Sequence, residues 1–224
     1  MNIAQYIDHT LLKPTATIED IKKLCTEAQE YQFFAVCVPP PLVKNSIVIL
    51  KDSAVKVATV IGFPFGYSIA KAKLAEAQQA IVDGAQELDV VINLVALKSK
   101  AWPYLEKEMA QITQLAHSHN RLVKVIIESG VLTDEEIIQC CETYAKVGVD
   151  FLKTSTGYAS TGATLEAVQL MRKHLPSSIK IKASGGIRTY EQAVQFVNAG
   201  ANRLGCSASV AIVTSAKGDE STAY

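Results

Sequence analysis

Eight short runs rich in β-branched residues alternate along the chain with amphipathic stretches a few turns long, and no linker or low-complexity segment interrupts them. The runs are Ile7–Leu12, Phe33–Val38, Lys56–Ile61, Glu87–Ile92, Leu122–Ile127, Asp150–Lys153, Ile179–Ala183 and Arg203–Cys206. Helical periodicity covers Ile18–Tyr31, Leu42–Leu50, Ala70–Asp83, Pro103–His117, Asp134–Val147, Leu165–His174 and Tyr190–Ala199. Thr17 and Thr133, each followed by acidic residues, read as helix starts; Gly84, Gly148 and Gly200 read as helix stops. Strands joined through helices pair in parallel, and eight is the number that closes a sheet into a barrel. An open doubly wound sheet would want a G-x-G-x-x-G turn after its first strand, and the chain has none. The spacing therefore predicts an α/β fold of the (β/α)8 TIM-barrel type. It forms a single domain over residues 1–214, with a short N-terminal helix and a flexible tail over 215–224.

The 224 residues are 49% hydrophobic and 20% charged, enough apolar material for one core. Lys+Arg 22 balances Asp+Glu 22, which argues against a nucleic-acid or membrane-surface partner. No apolar run has the length of a membrane span and the N-terminus has no signal-peptide pattern, so a cytoplasmic protein is expected. Cys25, Cys37, Cys140, Cys141 and Cys206 show no C-x-x-C spacing, and His117 and His119 do not share a helical face. No metal site is expected from these residues.

Alternation along the strands turns some charges into the barrel. If Leu88, Val90 and Ile92 face the helices, Asp89 and Val91 face inward. The same parity turns Lys182 inward and puts Lys153 on the face of Phe151, both near strand ends, where the active sites of such barrels lie. Lys153 and Lys182 end neighbouring strands. Two ammonium groups at that range in a partly dry pocket repel, and one is pushed toward the neutral amine that can attack a carbonyl. Asp89 could hold the other lysine charged or shuttle a proton. Parity also turns Lys124 and Lys180 inward. Lys180 lies at the strand entrance, and Lys124 has Glu128 or another interior carboxylate as a partner.

A second signal is an anion cradle. Gly185-Gly186-Ile187-Arg188 follows the seventh strand and Gly205-Cys206-Ser207-Ala208-Ser209 follows the eighth, the two loops where barrels bind phosphate on glycine amides. Gly157 can add an amide and Arg188 a charge.

At these residues the chain resembles the deoxyribose-phosphate aldolase family of class I aldolases, essentially end to end. The matching motifs are Ile7-Asp8-His9-Thr10-Leu11-Leu12-Lys13-Pro14, Val36-Cys37-Val38, Val60-Ile61-Gly62-Phe63-Pro64 and Glu87-Leu88-Asp89-Val90-Val91-Ile92-Asn93. They continue through Lys124–Glu128, Phe151–Gly157 and Lys182–Arg188. The resemblance implies reversible cleavage of 2-deoxy-D-ribose 5-phosphate to D-glyceraldehyde 3-phosphate and acetaldehyde, in deoxyribose phosphate catabolism. It implies Lys153 as the Schiff-base lysine, Lys182 as the lysine that perturbs it and assists proton transfer, and Asp89 as proton donor and acceptor. Asp8, Cys37 and Thr154 are implied in the substrate pocket. Neither metal nor organic cofactor is implied, and a homodimer is the expected assembly. The resemblance also implies that Tyr224 swings over the pocket from the tail. Pro39, Tyr158 and Cys206 depart from the family pattern. Another phosphate-sugar Schiff-base aldolase, or a silent sugar-phosphate-binding barrel, are the competing functions.

Overall fold

In a computed structural model of the chain, which describes residues 1–219, each strand hands over to a helix as the alternation requires. The strands are β1 (Ile7–Thr10), β2 (Ala35–Val38), β3 (Lys56–Ile61), β4 (Glu87–Val91), β5 (Leu122–Ile126), β6 (Phe151–Lys153), β7 (Lys180–Ser184) and β8 (Arg203–Cys206). All pair in parallel in sequence order, and β8 pairs back onto β1. The barrel is closed, so the open doubly wound sheet is excluded. The helices are α1 (Ile18–Glu30), α2 (Val43–Ile49), α3 (Ala70–Val82), α4 (Leu94–Lys98), α5 (Trp102–Ser118), α6 (Asp134–Val147), α7 (Leu165–His174), α8 (Tyr190–Asn198) and α9 (Ser209–Asp219).

Local chemistry sets the boundaries. Thr17, Thr133 and Thr189 each close a capping box with the third helical residue, so backbone donors at those helix starts are satisfied. The three-proline run leaves Pro39 extended and makes Pro40–Leu42 a turn of 3-10 helix before α2. The short N-terminal helix is also 3-10, over Ile3–Tyr6. The domain boundary expected at residue 214 falls inside α9, so residues 215–219 are helix rather than free tail. A polar composition marks exposure, and no proline interrupts this stretch to stop the helix. Tyr224 lies outside the described residues.

Two interiors result. Between the barrel wall and the helices lies a continuous apolar layer, in which Leu88, Val90 and Ile92 share one cluster with Leu105, Met109 and Ile112 of α5. Inside the barrel Cys37, Ala58 and Val60 form a separate apolar cluster, the buried Phe151 ring lies against Lys124 and Arg203, and charged side chains take much of the remaining space.

A buried ion pair also lies outside the barrel. Lys73 of α3 meets Glu108 of α5 at 3.0 Å with both side chains buried, and Lys73 also donates to Val91 O at the end of β4. Lys73→Met strands Glu108 with only the Tyr104 hydroxyl as a partner. The variant is expected to lose about 3–5 kcal/mol of stability, read as a lower urea midpoint at unchanged slope.

Candidate active site

The predicted parity of β4 places Asp89 at the centre of the barrel, fully buried. Register brings its partners to it: Asp89 lies beside Lys124 of β5, and Lys153 of β6 beside Lys182 of β7. Asp89 Oδ1 accepts from Lys124 Nζ at 2.7 Å. Asp89 Oδ2 accepts from two lysines at once, Lys153 Nζ at 2.7 Å and Lys182 Nζ at 2.8 Å. Lys182 also donates to Asp8 Oδ2 of β1 at 2.5 Å, and Arg203 of β8 donates to Asp8 Oδ1 at 2.7 Å. Deeper in the barrel, Glu87 takes Lys124 at 2.6 Å and Arg203 at 3.4 Å, and the Arg203 guanidinium stacks on the Phe34 ring at 3.5 Å. Lys124 therefore pairs with interior carboxylates and not with Glu128. Lys180 is exposed at the strand entrance, as expected.

This network joins four cationic side chains, Lys124, Lys153, Lys182 and Arg203, to three carboxylates, Asp8, Glu87 and Asp89. A dry interior tolerates unpaired charge poorly, so one cation is in excess and the group with the fewest carboxylates is the one to give up its proton. Lys153 has Asp89 alone. Burial pulls its pKa below the ordinary lysine value, Asp89 opposes, and the neighbouring Lys182 adds to the lowering. Lys182 is desolvated equally, but Asp8 and Asp89 outweigh burial and hold it charged. Burial raises the Asp89 carboxyl, and Lys124, Lys153 and Lys182 overcome it to leave Asp89 ionised. The two lysines are thus driven apart in acidity through one shared oxygen.

Above this network opens a cavity of ≈ 360 Å³, with Lys153 and Ser184 on its floor and Thr156, Gly157, Gly185, Gly186, Ile187, Arg188, Gly205 and Ser207 around it. Leu11, Leu12, Lys13 and Tyr158 close the remaining side, and among the described residues no carboxylate lines it. Every residue expected in the anion cradle is therefore present. Gly185 and Gly186 take consecutive positive φ angles of 87° and 85°, which glycine adopts without strain. Gly205 serves differently: a Cβ there would stand 2.8 Å from Ser184 Cβ and 3.1 Å from Lys182 Cε. The bare backbone makes room for the lysine.

Asp8 and Cys37 are buried beneath the cavity, Asp8 as the second carboxylate on Lys182 and Cys37 as an apolar neighbour whose thiol burial pushes up. Thr154 requires a correction. Alternation turns it away from the face of Lys153, and its hydroxyl accepts from Ser184 N at 3.0 Å instead of reaching the cavity, where Thr156 stands.

Sequence reasoning passed over several residues. Glu87 and Arg203 are inward by the same parity as Asp89. Lys13 supplies a cation at the cavity rim, and Tyr158 ties two loops by donating to Leu12 O at 2.9 Å. Glu128 has φ 55°, a left-handed conformation uncommon for a side-chain-bearing residue, and accepts from both the amide and the hydroxyl of Thr156. Among the described residues no group of three or more His, Cys, Asp or Glu side chains forms a metal-binding cluster. No described helix is long and apolar enough to cross a membrane.

Asp8 gives a pH test. Burial would raise its carboxyl, but Lys182 and Arg203 bring it to about 2, below the ordinary 3.8. A carboxyl depressed in the folded state stabilises it above the unfolded value and loses that contribution as pH falls toward the folded one. Asp8→Asn is expected to be less stable than the parent by about 2 kcal/mol at pH 7. In denaturation series the difference narrows between pH 4 and 2.

A model described as the DeoC/LacD family aldolase matches residues 2–213. The chain is 51% identical over 222 residues to a deoxyribose-phosphate aldolase of Thermococcus gammatolerans, covering 98% of this chain and 99% of that one. It is 52% identical over 216 residues to that of Thermococcus kodakarensis, covering 96% of each. Among solved structures, the tetrameric deoxyribose phosphate aldolase of Aeropyrum pernix superposes with a TM-score of 0.90 at 36% identity, covering 96% of this chain and 91% of that one.

Proposed function

From the premise that the chain belongs to the DeoC/LacD aldolase family, we propose that it is a class I aldolase. It cleaves 2-deoxy-D-ribose 5-phosphate reversibly to D-glyceraldehyde 3-phosphate and acetaldehyde. The observation that carries the reading is one amine, Lys153, on the floor of a basic, glycine-walled cavity, sharing a single carboxylate oxygen with a second lysine.

The chemistry follows from that pair. The open-chain sugar phosphate lies with its phosphate on the amides of Gly157, Gly185, Gly186, Gly205 and Ser207 and beside Arg188, and its aldehyde at Lys153. The neutral amine attacks C1, and loss of water gives a protonated imine. That cation is an electron sink. As the C3 hydroxyl loses its proton the C2–C3 bond breaks, its electron pair enters the imine to form an enamine, and C3 leaves as the aldehyde of glyceraldehyde 3-phosphate. Protonation at C2 and hydrolysis then release acetaldehyde and restore the amine. Asp89 stands where it can carry protons between Lys153 and Lys182, and Lys182, held charged by Asp8, is the acid that resupplies them. Asp8 and Cys37 act as supports beneath the pocket. We carry a cytoplasmic homodimer as the working assembly.

Borohydride added with 2-deoxy-D-ribose 5-phosphate is expected to inactivate the protein and to leave a reduced adduct on Lys153, read by peptide mass. Lys153→Met removes the nucleophile and is expected to lower turnover at least 10³-fold, by analogy with the loss of other covalent nucleophiles. An intact, chelator-treated enzyme that cleaves the substrate without a trappable adduct would rule the Schiff base out. A silent binding barrel would take up the sugar phosphate and release no acetaldehyde.

A further inference from the structure

Behind the anion cradle, outside the charged interior, a carboxylate, an imidazole and a hydroxyl stand in line. His9 follows Asp8 on β1, so alternation turns its ring out of the barrel toward α1 and α9. Its Nε2 lies 2.9 Å from Glu27 Oε2 of α1, and its Nδ1 lies 2.9 Å from Ser209 Oγ at the start of α9. Ser209 Oγ also lies 2.9 Å from the carbonyl oxygen of Cys206. His9 and Ser209 are buried, and the Phe33 ring covers the imidazole with centroids 5.1 Å apart. Lys23 of α1 stands 3.8 Å from the other Glu27 oxygen. Cys206, the register partner of His9, adds a thiol that burial pushes up to about 12 and that stays uncharged.

Counting hydrogens shows what this line can do. Ser209 has one hydroxyl proton and two acceptors within reach, His9 Nδ1 and Cys206 O. A neutral imidazole that donates Nε2–H to Glu27 leaves Nδ1 bare, and the hydroxyl must donate to it. A protonated imidazole donates from both nitrogens, and the hydroxyl turns to Cys206 O. That second arrangement closes the turn from Cys206 to Ser209, which carries Ser207 into the cavity wall beside Gly205.

We propose that His9 is a positioning residue for the phosphate half of the site, its protonation state deciding, through Ser209, whether the turn between β8 and α9 is tied. The proposal rests on the reading of that cavity as a sugar-phosphate site. Burial lowers the His9 pKa from its ordinary 6.5, against the bond and the charge of Glu27 and a smaller contribution from the Cys206 backbone carbonyl. His9 is therefore charged and the turn tied at acid pH. The tie is released as pH rises through the His9 pKa.

The full chain is compared with His9→Asn, whose side-chain NH2 donates to Ser209 at every pH and keeps the turn tied. KM for 2-deoxy-D-ribose 5-phosphate is measured from pH 5 to 8, alongside kcat/KM for unphosphorylated 2-deoxy-D-ribose. Taking the ratio of wild type to variant cancels ionisation of the substrate's own phosphate. That KM ratio is expected to rise roughly two- to tenfold across the range, the worth of one neutral hydrogen bond, while the unphosphorylated substrate shows a flat ratio. A flat KM ratio, or one that moves equally for both substrates, overturns the proposal. Side-chain 15N NMR of the wild-type protein decides independently of the variant's folding and of turnover. Neutral His9 is expected as the Nε2–H tautomer, and the Nδ1–H tautomer overturns the proposal. A wild type that cleaves neither sugar refutes the aldolase reading, and the tautomer still decides the role of His9.

Discussion

Deep inside a closed barrel little solvent reaches a charge, so each carboxylate there has to be met by a cation from another strand. Asp89 is where that requirement is most concentrated. Three lysines from three strands converge on its two oxygens, and removing it would leave their charges facing one another in a dry space. Its own ionisation depends on them in turn. The stability of the interior and the reactivity of Lys153 are two readings of one arrangement: an interior with one cation too many places the shortfall on the lysine with a single carboxylate. The pocket above can then be built mostly from loop residues, because the acid–base balance is set from below.

The outer machinery answers a different constraint. An anion has to be held without a countercharge close enough to quench the amine, and glycine amides do this with partial charges fixed by the backbone. Consecutive left-handed glycines at 185 and 186 and the bare backbone at 205 shape that concavity. Arg188 and Lys13 bring formal charge to the rim. On the proposed reading the floor serves acid–base chemistry with side chains from the strands, and the rim serves anion recognition with residues of the loops that follow them.

Much of this was legible in the chain because the period of a strand is two. Leu88, Val90 and Ile92 facing helices leave Asp89 nowhere to point but inward, and the argument extends to Lys182 and to Lys153 beside Phe151. What parity cannot supply is register, which decides who meets whom. Lys124 read equally well against Glu128 until pairing set it beside Asp89. Glu128 went elsewhere because its backbone is left-handed, a property a glutamate does not advertise. Thr154 shows the opposite failure: the family resemblance implied the pocket, while alternation sent its hydroxyl to the neighbouring strand. Helix α4 has five residues, too few for a periodic signal. The polar end of α9 looked like a tail for want of apolar residues to mark a face.

The charged filling of the barrel also bears on heat. Dehydrating ionised groups is costly at room temperature because water solvates them well, and that hydration weakens as temperature rises. Apolar packing gains no comparable advantage. A barrel plugged with hydrocarbon would spread its thermal margin evenly between inner and outer layers. Here the margin is uneven: the layer around Asp8, Glu87 and Asp89 is the one whose assembly becomes less costly on warming. The first parts to loosen should then be the helical jacket and its loops, while the staves carrying Lys153 and Lys182 stay in register.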